Sequence, residues 1–369
     1  MADGLTMAST SPAAFRVIDT GVRDGRRQIA FDQALIDLHK AGEAPDTVRF
    51  LRFPPTVLIG RHQAVGQEVK LDHVRRTGIG LVRRITGGGA IYLDQGQLGW
   101  ELVFSRTRLG LGSLADTTVA ICEAVAAGLS EGFGIEARFR PRNDIEVSGR
   151  KLCGTGGFFD GDTLIYQGTV LVDMDADAMV ACLNVPEAKL KKHALDDAAE
   201  RVVTLKALLG EAPPITAVEQ AVLSGLATKL GIEANPGEPS EAEETLARSL
   251  HDEEIGTDDF VFEIDDPAGA DVHAGSHTGA GGTVTAHVRL EGPGAVRIRE
   301  VLITGDFFVT PPRLVYDLEA ALRGVAVDEA GPTVDAFFAD TKPDLLTIAP
   351  ADFRSAVVSA IDAAGAVDP

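Results

Sequence analysis

Cysteine is scarce in this chain of 369 residues: only Cys122, Cys153 and Cys182 are present. They form no CxxC pair and no Cys/His cluster, which argues against a structural zinc site, and their odd number argues against a disulfide framework. A reducing compartment fits, so the expected location is cytoplasmic. Positive charge is also short. There are 34 Lys and Arg against 55 Asp and Glu, a net charge of −21. That balance argues against broad electrostatic binding to nucleic acid or to anionic lipid, so neither nucleic acid nor membrane is an expected partner. Long apolar runs are missing as well. No stretch reaches the roughly 18 apolar residues that cross a bilayer. Residues 1–14 lack a signal-peptide core and read as a disordered tail. There is no Walker A loop, no GxGxxG fingerprint and no repeat of fixed period.

What is present reads as an ordinary globular composition, 45% hydrophobic and 24% charged, in a chain long enough for two or three domains. Residues 28–40 place Ile29, Ala30, Ala34, Leu35 and Leu38 near helical spacing. Residues 48–53 and 56–59 read as strands around Pro54-Pro55, and 80–84 and 98–104 as further strands. Ser113 and Asp116 cap a helix over 113–130, and Thr216 with Glu219 a second over 216–230. Between them a meander is expected: strands 136–140, 144–147, 150–153 and 163–172, with a Ser148-Gly149 hairpin turn and a glycine-rich loop over 154–162. Residues 187–201 read as a charged surface helix or loop. A turn-rich acidic segment over 234–245 reads as a linker. Beyond it, strands 260–264, 282–290 and 296–303, a loop over 268–281, and helices 316–322 and 351–364 make a smaller unit. The expected organisation is therefore a tail over 1–14, a catalytic domain over 15–233, the linker, and an accessory domain over 246–369. The fold class is α+β: a mixed or antiparallel sheet flanked by helices, followed by a second, smaller α+β domain.

The strongest chemical feature is Arg83-Arg84-Ile85-Thr86-Gly87-Gly88-Gly89-Ala90-Ile91-Tyr92. Three glycines after a strand remove every Cβ where the backbone turns, so main-chain N–H groups can meet phosphate or carboxylate oxygens, and two arginines add fixed charge. The alternative is a tight surface turn with two exposed arginines. Lys151 follows the hairpin turn, on a strand near Asn143 and Asp144, where an ammonium can stabilise charge that develops during acyl activation. Asp144 can orient Lys151 or hold Mg²⁺ through water, or Asn143-Asp144 can be a plain Asx turn after Pro141. Gly60-Arg61-His62 at a strand end is a ligand rim or a solvated loop. Cys153 lies two residues from Lys151, so regular alternation puts both on one face. There it would be an acyl nucleophile, against the commoner role of a small buried cysteine.

These residues resemble the lipoate–protein ligase family, within the superfamily of biotin/lipoate ligases and octanoyltransferases. Its pieces appear in order: Pro55-Thr56-Val57-Leu58-Ile59-Gly60-Arg61-His62-Gln63, Glu68-Val69, the Arg-Arg-x-x-Gly-Gly-Gly-Ala segment, Asn143-Asp144-Ile145, Gly149-Arg150-Lys151-Leu152-Cys153-Gly154-Thr155 and Gln167-Gly168-Thr169-Val170-Leu171. A looser likeness to an accessory domain runs through Gly282-Thr283-Val284, Ile303-Thr304-Gly305-Asp306-Phe307-Phe308 and Leu318-Glu319-Ala320-Ala321-Leu322. The sequence departs from the family where Leu93, Tyr166-Gln167 and Cys153 stand. No biotin-ligase Gly-Arg-Gly-Arg segment or N-terminal DNA-binding motif is seen.

The resemblance implies a two-step reaction. ATP activates lipoate to lipoyl-AMP, with Mg²⁺ serving the pyrophosphate, and a lysine of an apo lipoyl domain then takes the acyl group. Lys151 would contact both lipoyl and adenylate groups. Arg84, Gly87, Gly88, Gly89, Ala90, Ile91, Tyr92, Asn143 and Asp144 would line the nucleotide site, with Arg61, Arg83, Gly168 and Thr169 at its margins. Acceptors could be dehydrogenase E2 subunits, the glycine-cleavage H protein or H-like lipoate-binding proteins, and octanoate could replace lipoate. Two other functions remain open on the sequence: an ATP-independent octanoyl- or lipoyl-transferase working through a Cys153 thioester, and a silent lipoyl-domain binder.

Overall fold

The computed structural model describes residues 13–184, 201–279, 281–341, 343–345 and 348–365. Strand β1 (Ala13–Val22) starts inside the expected tail. Helix α1 (Gly25–Ala41) follows, its N-terminal amides at Arg26 and Arg27 capped by Asp24 and its end closed by Gly42 in the left-handed region. It returns the chain to β2 (Thr47–Arg52), which runs parallel to β1 with Arg16 opposite Thr47. Parallel neighbours need such a crossover. Three short strands, β3 (Thr56–Ile59), β4 (Gly80–Arg83) and β5 (Ile91–Leu93), form a small sheet in the order β4-β3-β5.

The main sheet continues with β6 (Gln97–Ser105). Helix α2 (Leu114–Phe133) opens on the expected Ser113–Asp116 capping box. The meander is β7 (Ala137–Arg140), β8 (Asp144–Val147), β9 (Arg150–Asp160) and β10 (Thr163–Leu171). Helix α3 (Ile215–Leu230) starts at Pro214 with no side-chain cap, so the expected Thr216–Glu219 pair is not used. Strand β11 (Ile232–Pro236) then pairs with β1. The sheet order is β11-β1-β2-β6-β10-β9-β8-β7. Helix α2 packs on it beside α3, around Trp100, Phe104, Ile121, Leu129, Tyr166 and Leu226.

Several further expectations change. Most of the segment 154–162 is not a loop: β9 runs through it to Asp160, paired residue by residue with β10, and only Gly161-Asp162 form a turn. The segment 234–245 is not a free linker. Ala234, Asn235 and Pro236 pair with β1, and helix α4 (Glu241–Leu250) carries Glu243 to an ion pair with Arg16 at 2.5 Å. Leu246, Ala247 and Ile255 share a core with Ile29, Phe31 and Leu35 of α1, so this stretch packs with the first domain. Residues 258–261 form a helical turn rather than a strand. The segment 187–200 lies outside the described residues.

The second unit is the sheet β12 (His273–Gly279), β13 (Gly282–Glu291) and β14 (Arg297–Gly305), with β13 central. Strand β12 falls where a loop was expected. Helices α5 (Leu314–Leu322), α6 (Ala330–Thr341) and α7 (Pro350–Gly365) close a separate core around Val288, Ile303, Phe307, Leu318 and Val357.

One charge cluster lies wholly inside the first domain. Arg49 Nη1 meets Asp32 at 2.6 Å and Glu101 at 2.7 Å, with all three side chains fully buried. Gln167 Nε2 donates to both carboxylates at 2.7 Å. Burial and the neighbouring Glu101 push the Asp32 carboxyl up to about 8, against the pull of Arg49.

Candidate active site

A cleft of about 400 Å³ opens where the glycine-rich turn after β4, strands β8 to β10 and the second unit meet. Its wall brings together Arg84, Gly87, Gly88, Gly89, Ala90, Ile91, Tyr92, Asn143, Asp144, Lys151, Gly168 and Thr169. Five residues named from sequence lie elsewhere: Gly60, Arg61, His62, Arg83 and Cys153.

Lys151 is half-buried, and its Nζ lies 2.8 Å from Asp144 Oδ1. The side chain lies across Gly154, where an added Cβ would come within 2.5 Å of Nζ. Asp144 is held by Arg140 on its other oxygen. Burial alone would raise its pKa, but Lys151 and Arg140 outweigh that and hold the carboxyl below its ordinary value. Both carboxylate oxygens of Asp144 thus already face cations, which matches its expected role of orienting Lys151. Among the described residues no group of three or more His, Cys, Asp or Glu could hold a metal ion. Asn143 is tied to β9, its carbonyl accepting from the Thr155 N–H at 2.9 Å and from Thr155 Oγ1 at 2.8 Å.

The two adjacent arginines have separate duties. Arg84 donates to carbonyls only, to Leu58 at 3.0 Å, Gly87 at 3.0 Å and Gly89 at 2.9 Å, which binds the turn to β3. Burial lowers its pKa to about 10. With only dipoles as partners, a buried guanidinium on a cleft wall favours an anion there. Arg83 is turned away. It donates to the carbonyls of Gln63 at 2.7 Å, Val261 at 2.9 Å and Ile264 at 3.0 Å, clamping the end of β3 to the segment after α4. Arg61 pairs with Glu263 at 2.5 Å and lies over the Phe260 and Tyr316 rings, at the contact between the units.

Cys153 is corrected by a β-bulge. Ile145 stands opposite Cys153 and Glu146 opposite Lys151, so Leu152 is one residue extra. Neighbours on β8 point to opposite faces, and so therefore do Lys151 and Cys153. The thiol is buried in the main core with Trp100, and burial pushes its pKa far up. It is buried and its thiolate is disfavoured, whereas an acyl nucleophile in the cleft needs an exposed thiolate.

Sequence reasoning missed the second unit's share of the wall: Gly281, Gly282, Asp306 and Phe308. The glycines at 87 and 88 serve this contact. The Gly88 N–H donates to the Phe307 carbonyl at 3.0 Å. The Phe308 ring lies where Cβ atoms on Gly88 and Gly156 would be, 2.6 Å from the former. One of the three glycine N–H groups expected to meet a ligand is thus already bonded. The signal was present in Gly305-Asp306-Phe307-Phe308, but no local rule says what such a turn touches. Met174, Met179, Leu171 and Leu93 add apolar wall.

A family model described as the lipoyl protein ligase A/B catalytic domain matches residues 24–227. The octanoyltransferase LipM of Kyrpidia tusciae is 30% identical over 268 residues, covering 65% of this chain and 97% of that protein. Lipoate-protein ligase A subunit 1 of Thermoplasma acidophilum is 30% identical over 245 residues, covering 64% and 91%. Among solved structures, the bi-partite lipoate protein ligase of T. acidophilum, described with its E2 lipoyl domain, superposes with a TM-score of 0.61 at 27% identity over 69% of this chain and 98% of that one. A lipoate-protein ligase A bound with ATP gives 0.59 at 27% identity over 68% and 99%. Plasmodium falciparum LipL1 shares the fold over 88% of this chain and 94% of its own, with a TM-score of 0.69 at 15% identity.

Proposed function

Because the chain belongs to the lipoyl protein ligase A/B catalytic-domain family, we propose that it is an ATP-dependent lipoate–protein ligase. The observation that carries this reading is the pair of cations lining one cleft, Lys151 on β9 and Arg84 in the turn just after β4, beside an apolar wall. A carboxylate, a phosphate and an acyl chain are the three chemistries that such a cleft can hold together. The lipoate carboxylate attacks the α-phosphorus of ATP, and the bond to pyrophosphate breaks. Lys151, held by Asp144, stabilises the charge that gathers on the α-phosphate and the acyl oxygen. Arg84 supplies a second fixed charge. The acceptor lysine amine then attacks the mixed anhydride, forming the amide and releasing AMP and a proton. Leu93, Leu171, Met174 and Met179 face the apolar chain. Lipoate and octanoate both present such a chain. Support for nucleotide use comes from the ATP-bound relative, and support for an E2 lipoyl domain or an H-type protein as acceptor comes from the archaeal ligase described with its E2 lipoyl domain.

The likeness to LipM favours a second reading, transfer from an acyl thioester without ATP. In that case the buried Cys153 does not carry the acyl group. A single assay separates the two. The chain is incubated with apo lipoyl domain and either lipoate with MgATP or an octanoyl thioester alone, and acceptor mass is followed. The ligase reading expects a mass gain only with ATP. A gain from the thioester without ATP would overturn it, and no gain under either condition, beside a working control ligase, leaves the silent binder.

A further inference from the structure

In a chain of net charge −21, one end of the main sheet has the opposite sign. Arg138 and Arg140 lie on the edge strand β7, Arg142 in the turn to β8, and Arg150 and Lys151 at the start of β9. Arg201 joins them, since its neighbour Val202 bridges to Lys151. Among the described residues of this end of the sheet, three carboxylates stand against these six cations: Glu136, Asp144 and Glu146. The last two are largely buried and already paired: Asp144 with Lys151 and Arg140, and Glu146 with Arg138 at 2.8 Å. The side chain of Arg138 remains 71% exposed, and Arg142, Arg150 and Arg201 are exposed as well. The strip runs into the cleft at Arg142 and Lys151, which line its wall, whereas Arg138, Arg150 and Arg201 lie outside that wall. Arg142 is held at φ +100°, a backbone region that a non-glycine residue rarely adopts without a functional or structural demand.

We propose that this arginine strip is the docking surface for the acceptor protein, which presents an acidic face around its target lysine. The inference deepens the function proposed above and rests on it for the identity of the acceptor. A nucleotide confined to the cleft cannot use Arg138, Arg150 or Arg201, because these lie beyond the wall. An acidic domain approaching the rest of this surface meets repulsion, and approaching here meets attraction. The strip therefore selects the partner and aims its lysine at the mouth of the cleft beside Lys151.

The test uses the full chain with Arg150→Glu and Arg201→Glu together, and separately Arg138→Gln. The probe is an apo lipoyl domain from a dehydrogenase E2 subunit. Its Kd is read by direct titration at low and high salt, and lipoate- and ATP-dependent pyrophosphate exchange is read without acceptor. The expected result is acceptor binding weakened about tenfold or more in the double variant, a flattened salt dependence, and pyrophosphate exchange kept within about twofold of the wild type. Arg138→Gln shifts acceptor affinity in the same direction by less. Unchanged acceptor affinity in both variants overturns the proposal. Loss of exchange with intact acceptor binding overturns it too, because the strip would then serve the nucleotide. If the wild type shows no exchange at all, the ATP-dependent reading fails while the binding data still judge the docking surface.

Discussion

Two clusters of charge in the first domain use the same side-chain types to opposite ends. Around Arg49, one guanidinium, two carboxylates and two glutamines close on each other, with the three charged side chains fully out of solvent. Around Lys151, cations outnumber carboxylates and the group opens on a cleft. Where buried groups balance, as when Glu101 and burial push the Asp32 carboxyl toward its neutral form so that one guanidinium faces one charge, removing a partner leaves an uncompensated charge and the fold bears the cost. Where they do not cancel and a cleft lies in front, the surplus is available to a ligand. Sign, balance and access separate a structural cluster from a functional one.

The largest expected effect is at Lys151. Lys151→Ala should slow acyl-adenylate formation by about a hundred- to a thousandfold while leaving Tm near the wild-type value, because the side chain is half-exposed. A rate loss matched by unfolding would erase the contrast between the clusters. Arg49→Met should do the reverse. It strands Asp32 and Glu101 without their cation and should lower stability by about 3–5 kcal/mol, read by urea denaturation. A variant that unfolds at the wild-type midpoint would show that the buried cluster holds nothing. Gly156→Ala brings a methyl into the Phe308 ring and should cost about 1–3 kcal/mol as overpacking, read as faster proteolysis between the units, with pairing of β9 and β10 retained.

The next effect is a pH dependence. Burial, with Arg61 and Arg83 near, lowers the His62 imidazole from 6.5 to about 3. Its ring stacks on Phe307 at 5.3 Å and leans on Tyr316, and among the described residues neither ring nitrogen has a hydrogen-bond partner. A group with a depressed value in the docked arrangement takes its proton more readily when solvated. Docking of the second unit is therefore at full strength above about pH 6.5 and weakens as pH falls through 6.5 toward 3. Amide exchange at Gly305, whose N–H donates to the His62 carbonyl, reads this directly once corrected for intrinsic rates. His62→Phe should flatten the dependence. The smallest effect is at Cys153. Cys153→Ala should leave turnover unchanged and cost about 1 kcal/mol of packing; loss of turnover in a folded variant would restore the thiol to the chemistry.

Much of the cleft could be read from the sequence because its parts are local: a strand that ends in three glycines, a hairpin turn followed by a lysine, an Asn-Asp before a strand. The parts that could not be read depend on long-range pairing. Alternation put Lys151 and Cys153 on one face, and the unpaired Leu152 reversed that. Arg83 and Arg84 look alike in sequence, yet one meets carbonyls some 180 positions away and the other its own turn. The segment 234–245 has the composition of a linker, but Arg16 and β1 capture it. Asp306 and Phe308 reach the cleft only because a second core forms behind them.

The arginines of β7 have one more consequence. An open sheet ends in unpaired N–H and C=O groups, a template on which another strand can add. In the sheet described, β7 is one such end and β11 the other. Strand β7 is four residues long, carries Arg138 and Arg140, and is followed by Pro141. Strand β11 ends at Pro236, which has no N–H to give. A foreign strand laid against either margin would have to bury cations or skip a hydrogen bond. The residues that set the sign of this surface thus also keep an eight-stranded sheet from growing a ninth strand out of a neighbouring molecule.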